Sequence, residues 1–178
     1  MTRSTKEVAR VLLVVTALAV IALTGASDVR AQQTAGTLGQ QIQGSWSLVS
    51  VVNEQDGKKF DVFGPNPRGF LILTPDGHFS MTILRASLPK VAANNRMKGT
   101  AEENQAIVQG SISYYGKYTV TSEKEKTMAL SMEGSTFPNW DGEVQKRVIS
   151  ITGDDLKITN PTPSIGGGTN YVVWKRTK

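Results

Sequence analysis

From residue 44 onward the chain breaks into short runs of alternating apolar and polar residues, most of them closed off by glycine, proline, asparagine or aspartate. Such runs occupy 45–53, 58–63, 69–74, 78–84, 112–121, 127–133, 144–151, 155–160 and 169–176. A period of two puts successive side chains on opposite faces of a strand. The separators are turn formers: "DG" at 56–57, "PDG" at 75–77, "GDD" at 153–155 and "PTPSIGGG" at 161–168. Many short strands at this spacing predict an antiparallel all-β sandwich or barrel. One segment breaks the rhythm. "TAEENQAIVQG" (100–110) opens with Thr100 and carries Glu103 three residues later, the signature of a capping box, and ends at Gly110. It predicts one short helix, preceded by a long irregular connection over 88–99 that could serve as a lid or as a surface crossover.

The amino-terminal stretch has a different logic. "MTRSTKEVAR" supplies Arg3, Lys6 and Arg10, an uncharged apolar run follows over 11–26, and Val29 and Ala31 take the small-residue positions of a cleavage site. That order is the secretory signal-peptide pattern, and 16 apolar residues fall short of the roughly 20 that a membrane span needs. Three segments are therefore expected: a signal peptide at 1–31, a polar flexible lead-in at 32–43 and one domain at 44–178. The expected destination is the periplasm or the extracellular medium, with no stable membrane insertion after cleavage. Removal of four Lys/Arg and two Asp/Glu with the leader lowers the net charge from +5 to +3. A charge so small and so dispersed argues against nucleic acid as a partner. The chain contains no cysteine, so an exported form must be stable from its core alone.

Alternation also assigns faces. Ile112, Tyr114, Gly116, Tyr118 and Val120 share one face, as do Met128, Leu130 and Met132, and Phe79, Met81 and Ile83. In 144–151 the set Gln145, Arg147, Ile149 and Ile151 is placed inside, because Lys146 and Ser150 on the other face prefer water. Pairing of the last strand with the first would remove the sheet's edges. Trp46 would then lie beside Trp174, Lys175 and Arg176 at an end closed by the tight turns at 122–126 and 153–154. The other end would collect 134–143, 161–168 and the turns at 54–57 and 75–77, provided that the 85–111 connection, or a short hidden strand within it, spans the barrel.

Gly44-x-Trp46 on the first strand, with a basic residue on the last, resembles the lipocalin kernel. The likeness extends through "GSWSLVS", "PRGFLILTPDGHFSM", "YYGKYTV", "STFPNWDGEVQKR" and "VVWKR". Together these stretches, within 44–176, resemble the bacterial lipocalin-like domain family. The resemblance implies an up-and-down antiparallel lipocalin-like β-barrel of about 8–10 strands. It also implies a structural closed-end kernel of Gly44, Trp46, Trp174 and Arg176, in which Arg176 packs over Trp46 by cation–π attraction.

If that end is closed, ligand chemistry belongs at the other. Tyr114, Tyr118, Phe137, Trp140, Gln145, Arg147 and Asn160 are the candidate ligand-binding residues. A small hydrophobic or amphipathic molecule bearing a carboxylate would pair Arg147, with the tyrosines flanking its chain and Phe137 and Trp140 as a gate. Alternatively Arg147 pairs with Glu133, Asp141 or Glu143 and merely pins a loop, inside a barrel filled by its own side chains. That barrel would serve as an accessory domain with a protein partner. A third reading is a cyclase or isomerase acting on an apolar substrate through Tyr114, Arg147 and Glu133 or Asp141. His78 is the only histidine, so histidine-rich metal sites fail on inventory, and a Ser-His-Asp triad would have to use it without a G-x-S-x-G elbow. The three glycines at 166–168 lead into a strand, which rules out a dinucleotide fingerprint. No metal or cofactor is expected. The leader carries its own test: mass spectrometry of the exported protein should give a chain beginning at Gln32, and an intact Met1 terminus would refute cleavage.

Overall fold

The computed structural model describes residues 36–178. The leader at 1–31 and residues 32–35 of the lead-in lie outside the described residues. Nine strands follow the alternating runs: β1 (Gly44–Gln55), β2 (Lys58–Asp61), β3 (Arg68–Leu73), β4 (His78–Leu84), β5 (Ser111–Ser122), β6 (Thr127–Ser135), β7 (Val144–Thr152), β8 (Asp155–Asn160) and β9 (Thr169–Arg176). Helices α1 (Leu38–Ile42) and α2 (Ala101–Gln109) complete the set, with 3-10 turns at Arg96–Lys98 and Pro138–Trp140. The expected Thr100–Glu103 capping box opens α2.

All pairings are antiparallel, and β1 also pairs with β9, so the sheet closes on itself. Nine strands nonetheless make an eight-stranded barrel. The later half of β1, Val52–Gln55, pairs with β2, and its earlier residues, Gly44–Ser47, pair with β3. β2 and β3 run in the same direction and together form one barrel strand, interrupted by the excursion "VFGPNP" at 62–67. Pro65 and Pro67 lack the N–H that a ladder requires, and Gly64 (φ +69°) and Asn66 (φ +52°) turn the backbone out and back.

This interruption overturns two expectations. Because β2 and β3 share a direction, the turn at 74–77 lies at the same end as Gly44, whose partner is Leu73, and not at the open end. The 85–110 connection does not span the barrel either: Leu84 and Ser111 face each other in the β4–β5 ladder, so the segment leaves and returns at one rim.

Inward residues stack in layers across β1, β9 and β8: Leu48–Trp174–Leu156, then Val51–Val172–Ile158, then Asn53–Asn170–Asn160. The first two layers are apolar core, and the third stands at the open rim. The 36–43 part of the expected flexible lead-in is an ordered plug instead. Thr37 and Gln40 form a reciprocal capping box on α1, and Leu38 and Ile42, four residues apart, are both buried. The Leu38 N–H donates to the Glu123 carboxylate. Trp46 is fully buried beneath this turn, its Nε1 donating to Ile42 O at 2.9 Å. The Arg176 guanidinium lies 4.0 Å from the Trp46 ring and donates to Gln43 O (2.8 Å) and Gln41 O (2.6 Å). Gly44 is required here: its φ is +118°, and a Cβ would lie 3.1 Å from Arg176 Nη1.

Arg176 thus joins β9, β1 and the plug through three contacts. Arg176→Met should lower unfolding stability by roughly 3 kcal/mol in urea titration, from two charged hydrogen bonds and one cation–π contact. Arg176→Lys should recover less than half, since an ammonium lacks the planar fork. A loss below about 0.5 kcal/mol, the level of an ordinary surface substitution, would show that closure does not depend on this residue.

Candidate functional site

At the end opposite the plug the barrel holds a chamber of about 60 Å³. Val51, Ile83, Ile158 and Val172 form its apolar wall, Phe63 closes it from the 62–67 excursion, and Tyr114, Trp140, Arg147, Asn160 and Asn170 bring polar atoms or aromatic rings. The chamber's volume is well below the roughly 300–1,000 Å³ of a site that encloses a whole drug-sized molecule, so it takes one end of a ligand. It opens into a vestibule of about 470 Å³ lined by Phe60, Val108 and Phe137. Val62, Phe63, Ile112, Ser164 and Ile165 border both spaces, which makes them one path.

Arg147 is the unusual member. Alternation on β7 carries it inward with Ile149, and it is 2% exposed. Its Nη1 donates to Lys146 O at 2.9 Å, and Nη2 donates to Gln145 Oε1. Among the described residues no carboxylate forms an ion pair with it. Glu133, Asp141 and Glu143 are exposed, so the expected alternative of a loop-pinning ion pair does not form. Burial pulls the guanidinium's pKa below its ordinary value, with Tyr114 opposing the shift. Burial likewise holds the Tyr114 phenol above its ordinary range, and the neighbouring Arg147 charge acts the other way. An uncompensated buried cation is costly, and an acceptor or anion entering the chamber would relieve that cost.

Aromatic rings lead from the core to the vestibule. Phe79 meets Tyr114 at 6.0 Å, Tyr114 meets Trp140 at 5.2 Å, and Trp140 meets Phe137 at 5.6 Å, each pair edge to face. The 3-10 turn at Pro138–Trp140 sets the last two rings over the mouth.

Of the seven residues expected to meet a ligand, Tyr114, Trp140, Arg147 and Asn160 line the chamber, and Phe137 lines the vestibule. Gln145 orients the guanidinium from its side. Tyr118 does not belong. β5 runs from the open rim towards the plug, so Tyr118 lies about 13 Å beyond Tyr114 along the strand. There its hydroxyl donates to Thr74 O at 2.7 Å. Glu133 and Asp141, expected to supply a catalytic carboxylate, do not line the chamber. Residue-by-residue reading missed Val51, Phe63 and Asn170. Alternation offered a signal for Asn170, which shares its face with Val172 and Trp174; Phe63 stands on an irregular excursion and had none.

Residues 43–177 match a family described as lipocalin-like domain. A 4'-hydroxy-3'-methoxypropiophenone carrier protein of Aspergillus oryzae is 27% identical over 105 residues, covering 54% of this chain and 95% of the relative. Barrel, chamber and relative together support the binding of a small molecule in general.

The uncompensated charge also has a thermodynamic consequence. Arg147→Met should leave the ligand-free protein as stable as the wild type or raise its stability by about 1 kcal/mol, read by urea unfolding. A loss above about 2 kcal/mol would identify the guanidinium as a structural pin.

Proposed function

The chain belongs to the lipocalin-like domain family, and from that premise we propose that it is an exported carrier of one small amphipathic molecule. The carried molecule places an acceptor end, a carboxylate or a carbonyl oxygen, against Arg147. Its apolar or aromatic body lies along Tyr114, Trp140 and Phe137 into the vestibule. The observation that carries this reading is the burial of Arg147 inside the barrel without a carboxylate partner among the described residues. The two spaces support the same division of the ligand. The chamber takes only a polar end of a few atoms, while the vestibule falls within the roughly 300–1,000 Å³ typical of small-molecule sites. The relative's name describes a hydroxylated phenyl ketone, a molecule with an acceptor oxygen and a flat apolar body. The basic, apolar and small-residue order of 1–31 supports export to the periplasm or the medium. Carriage is favoured over turnover because, among the described residues, the chamber lining holds neither carboxylate nor histidine to act as a base beside Tyr114.

Trp140 provides the readout. The chain has three tryptophans, and Trp46 and Trp174 are fully buried in the closed-end core. Titration with medium-chain fatty acids and aryl ketones should quench or shift tryptophan emission with one-to-one stoichiometry, and native mass spectrometry should show a single adduct. Trp140→Phe should abolish the optical response while keeping the adduct. Arg147→Met should weaken binding by about tenfold or more. Absence of both adduct and optical change across the panel would refute the carrier reading.

A further inference from the structure

The third inward layer, Asn53–Asn170–Asn160, carries more information than the carrier reading uses. It lies directly above the apolar layer Val51–Val172–Ile158, on three neighbouring strands. Asn170 and Asn160 line the chamber. Asn53 is fully buried, and its Nδ2 donates to Gly167 O at 3.2 Å, which fixes the way round that its amide stands. Asn160 Oδ1 accepts from the Thr162 N–H at 3.1 Å. The two remaining oxygens, Asn53 Oδ1 and Asn170 Oδ1, are buried and find no donor among the described residues. Buried acceptors without a donor are uncommon in folded proteins and costly where they occur.

Arg147 supplies the opposite polarity two strands away. β7 pairs with β8, and β8 with β9, so the guanidinium's donors and the Asn170 acceptor stand on one curved wall about 10 Å apart at the backbone. Inward side chains converge from that distance onto the same 60 Å³ chamber. A head group that brings only acceptors satisfies Arg147 and leaves the asparagine oxygens unmet. A head group with an acceptor and an adjacent hydroxyl brings a partner to Arg147 and a donor to Asn170, the two that line the chamber.

Resting on the carrier reading, we infer that the carried molecule is a hydroxylated carbonyl compound, with a hydroxyl beside the carboxylate or ketone that meets Arg147. Asn170, with Asn53 behind it, is the residue that selects for this hydroxyl. Plain fatty acids are the poorer ligands. Discrimination of this kind is characteristic of sites with buried polar atoms, because the ligand that lacks the matching group leaves them unpaired.

The test compares decanoic acid with 3-hydroxydecanoic acid by calorimetric titration of the wild-type protein, Asn170→Leu and Arg147→Met. The hydroxy acid should bind the wild type about tenfold more tightly, the worth of one hydrogen bond to an otherwise unmet buried acceptor. In Asn170→Leu the ratio of the two affinities should fall to about one. The wild-type ratio needs no variant to fold and is decisive alone. Equal wild-type affinities, with both acids weakened in Arg147→Met, would overturn the inference and leave the carrier reading standing, the asparagine oxygens then being met by water. Binding of neither acid, nor of any aryl ketone, would overturn both. A tenfold preference that survives in Asn170→Leu would overturn the assignment to this residue.

Discussion

The pairing of β1 with β9 is the constraint on which the rest of the molecule depends. It turns a meander with two exposed edges into a barrel with an inside and an outside, and so defines what alternation means on every other strand. The pairing is held where the chain is most irregular. Arg176, on the last strand, reaches across to the Gln41 and Gln43 carbonyls ahead of the first and covers the Trp46 ring between them. The glycine at 44 lets the backbone turn beneath that side chain. Helix α1, anchored by Glu123, then seats Leu38 and Ile42 in the opening that the strands leave.

The two ends of the barrel consequently do different work. Turns at 74–77, 123–126 and 153–154 are short and lie with the plug. The 85–110 connection and the 136–143 and 161–168 loops lie at the opposite rim. Loops of that length can carry side chains over a cavity because the ladder beneath them is complete. Polarity follows the same gradient along β1, β9 and β8, from the Leu48–Trp174–Leu156 layer to the three asparagines. An inward arginine and orphaned amide oxygens are defects by the standards of a core. Among the described residues two of the four orphaned buried polar atoms, Asn53 Oδ1 and Asn170 Oδ1, belong to this rim layer, and the other two are Arg85 Nε and Trp174 Nε1.

Much of this was legible in the chain. All nine strands lie within a few residues of their alternating runs, and the inward sets on β4, β5, β6 and β7, Arg147 included, follow from parity alone. Parity is robust because a one-residue slip would reverse every side chain. The errors came from direction, which alternation does not encode. Two runs at 58–63 and 69–74 have the pattern of successive antiparallel strands, yet both are partners of β1 and share one direction. That single misreading moved the 75–77 turn to the wrong end and stretched the 85–111 connection across the barrel. The plug was missed for another reason. "TLGQQI" carries a T-x-x-Q capping box and apolar residues four apart, but five residues make too weak a helix to stand out from polar sequence.

The sequence by itself determined the strands, the faces of their side chains and the identity of the groups available inside, because these depend on periodicity and on local turn chemistry. Only the tertiary structure decided which groups meet. Tyr114 and Tyr118 share a face and a residue type, yet one lines the chamber and the other hydrogen-bonds to a closed-end turn, since depth along the barrel depends on the register of neighbouring strands. Asn53, Asn160 and Asn170 are far apart along the chain and become one row only through the β1–β9 and β8–β9 ladders. Whether Arg147 found a carboxylate was likewise open until the 134–143 loop was placed, with its acids in solvent and its aromatic rings over the mouth.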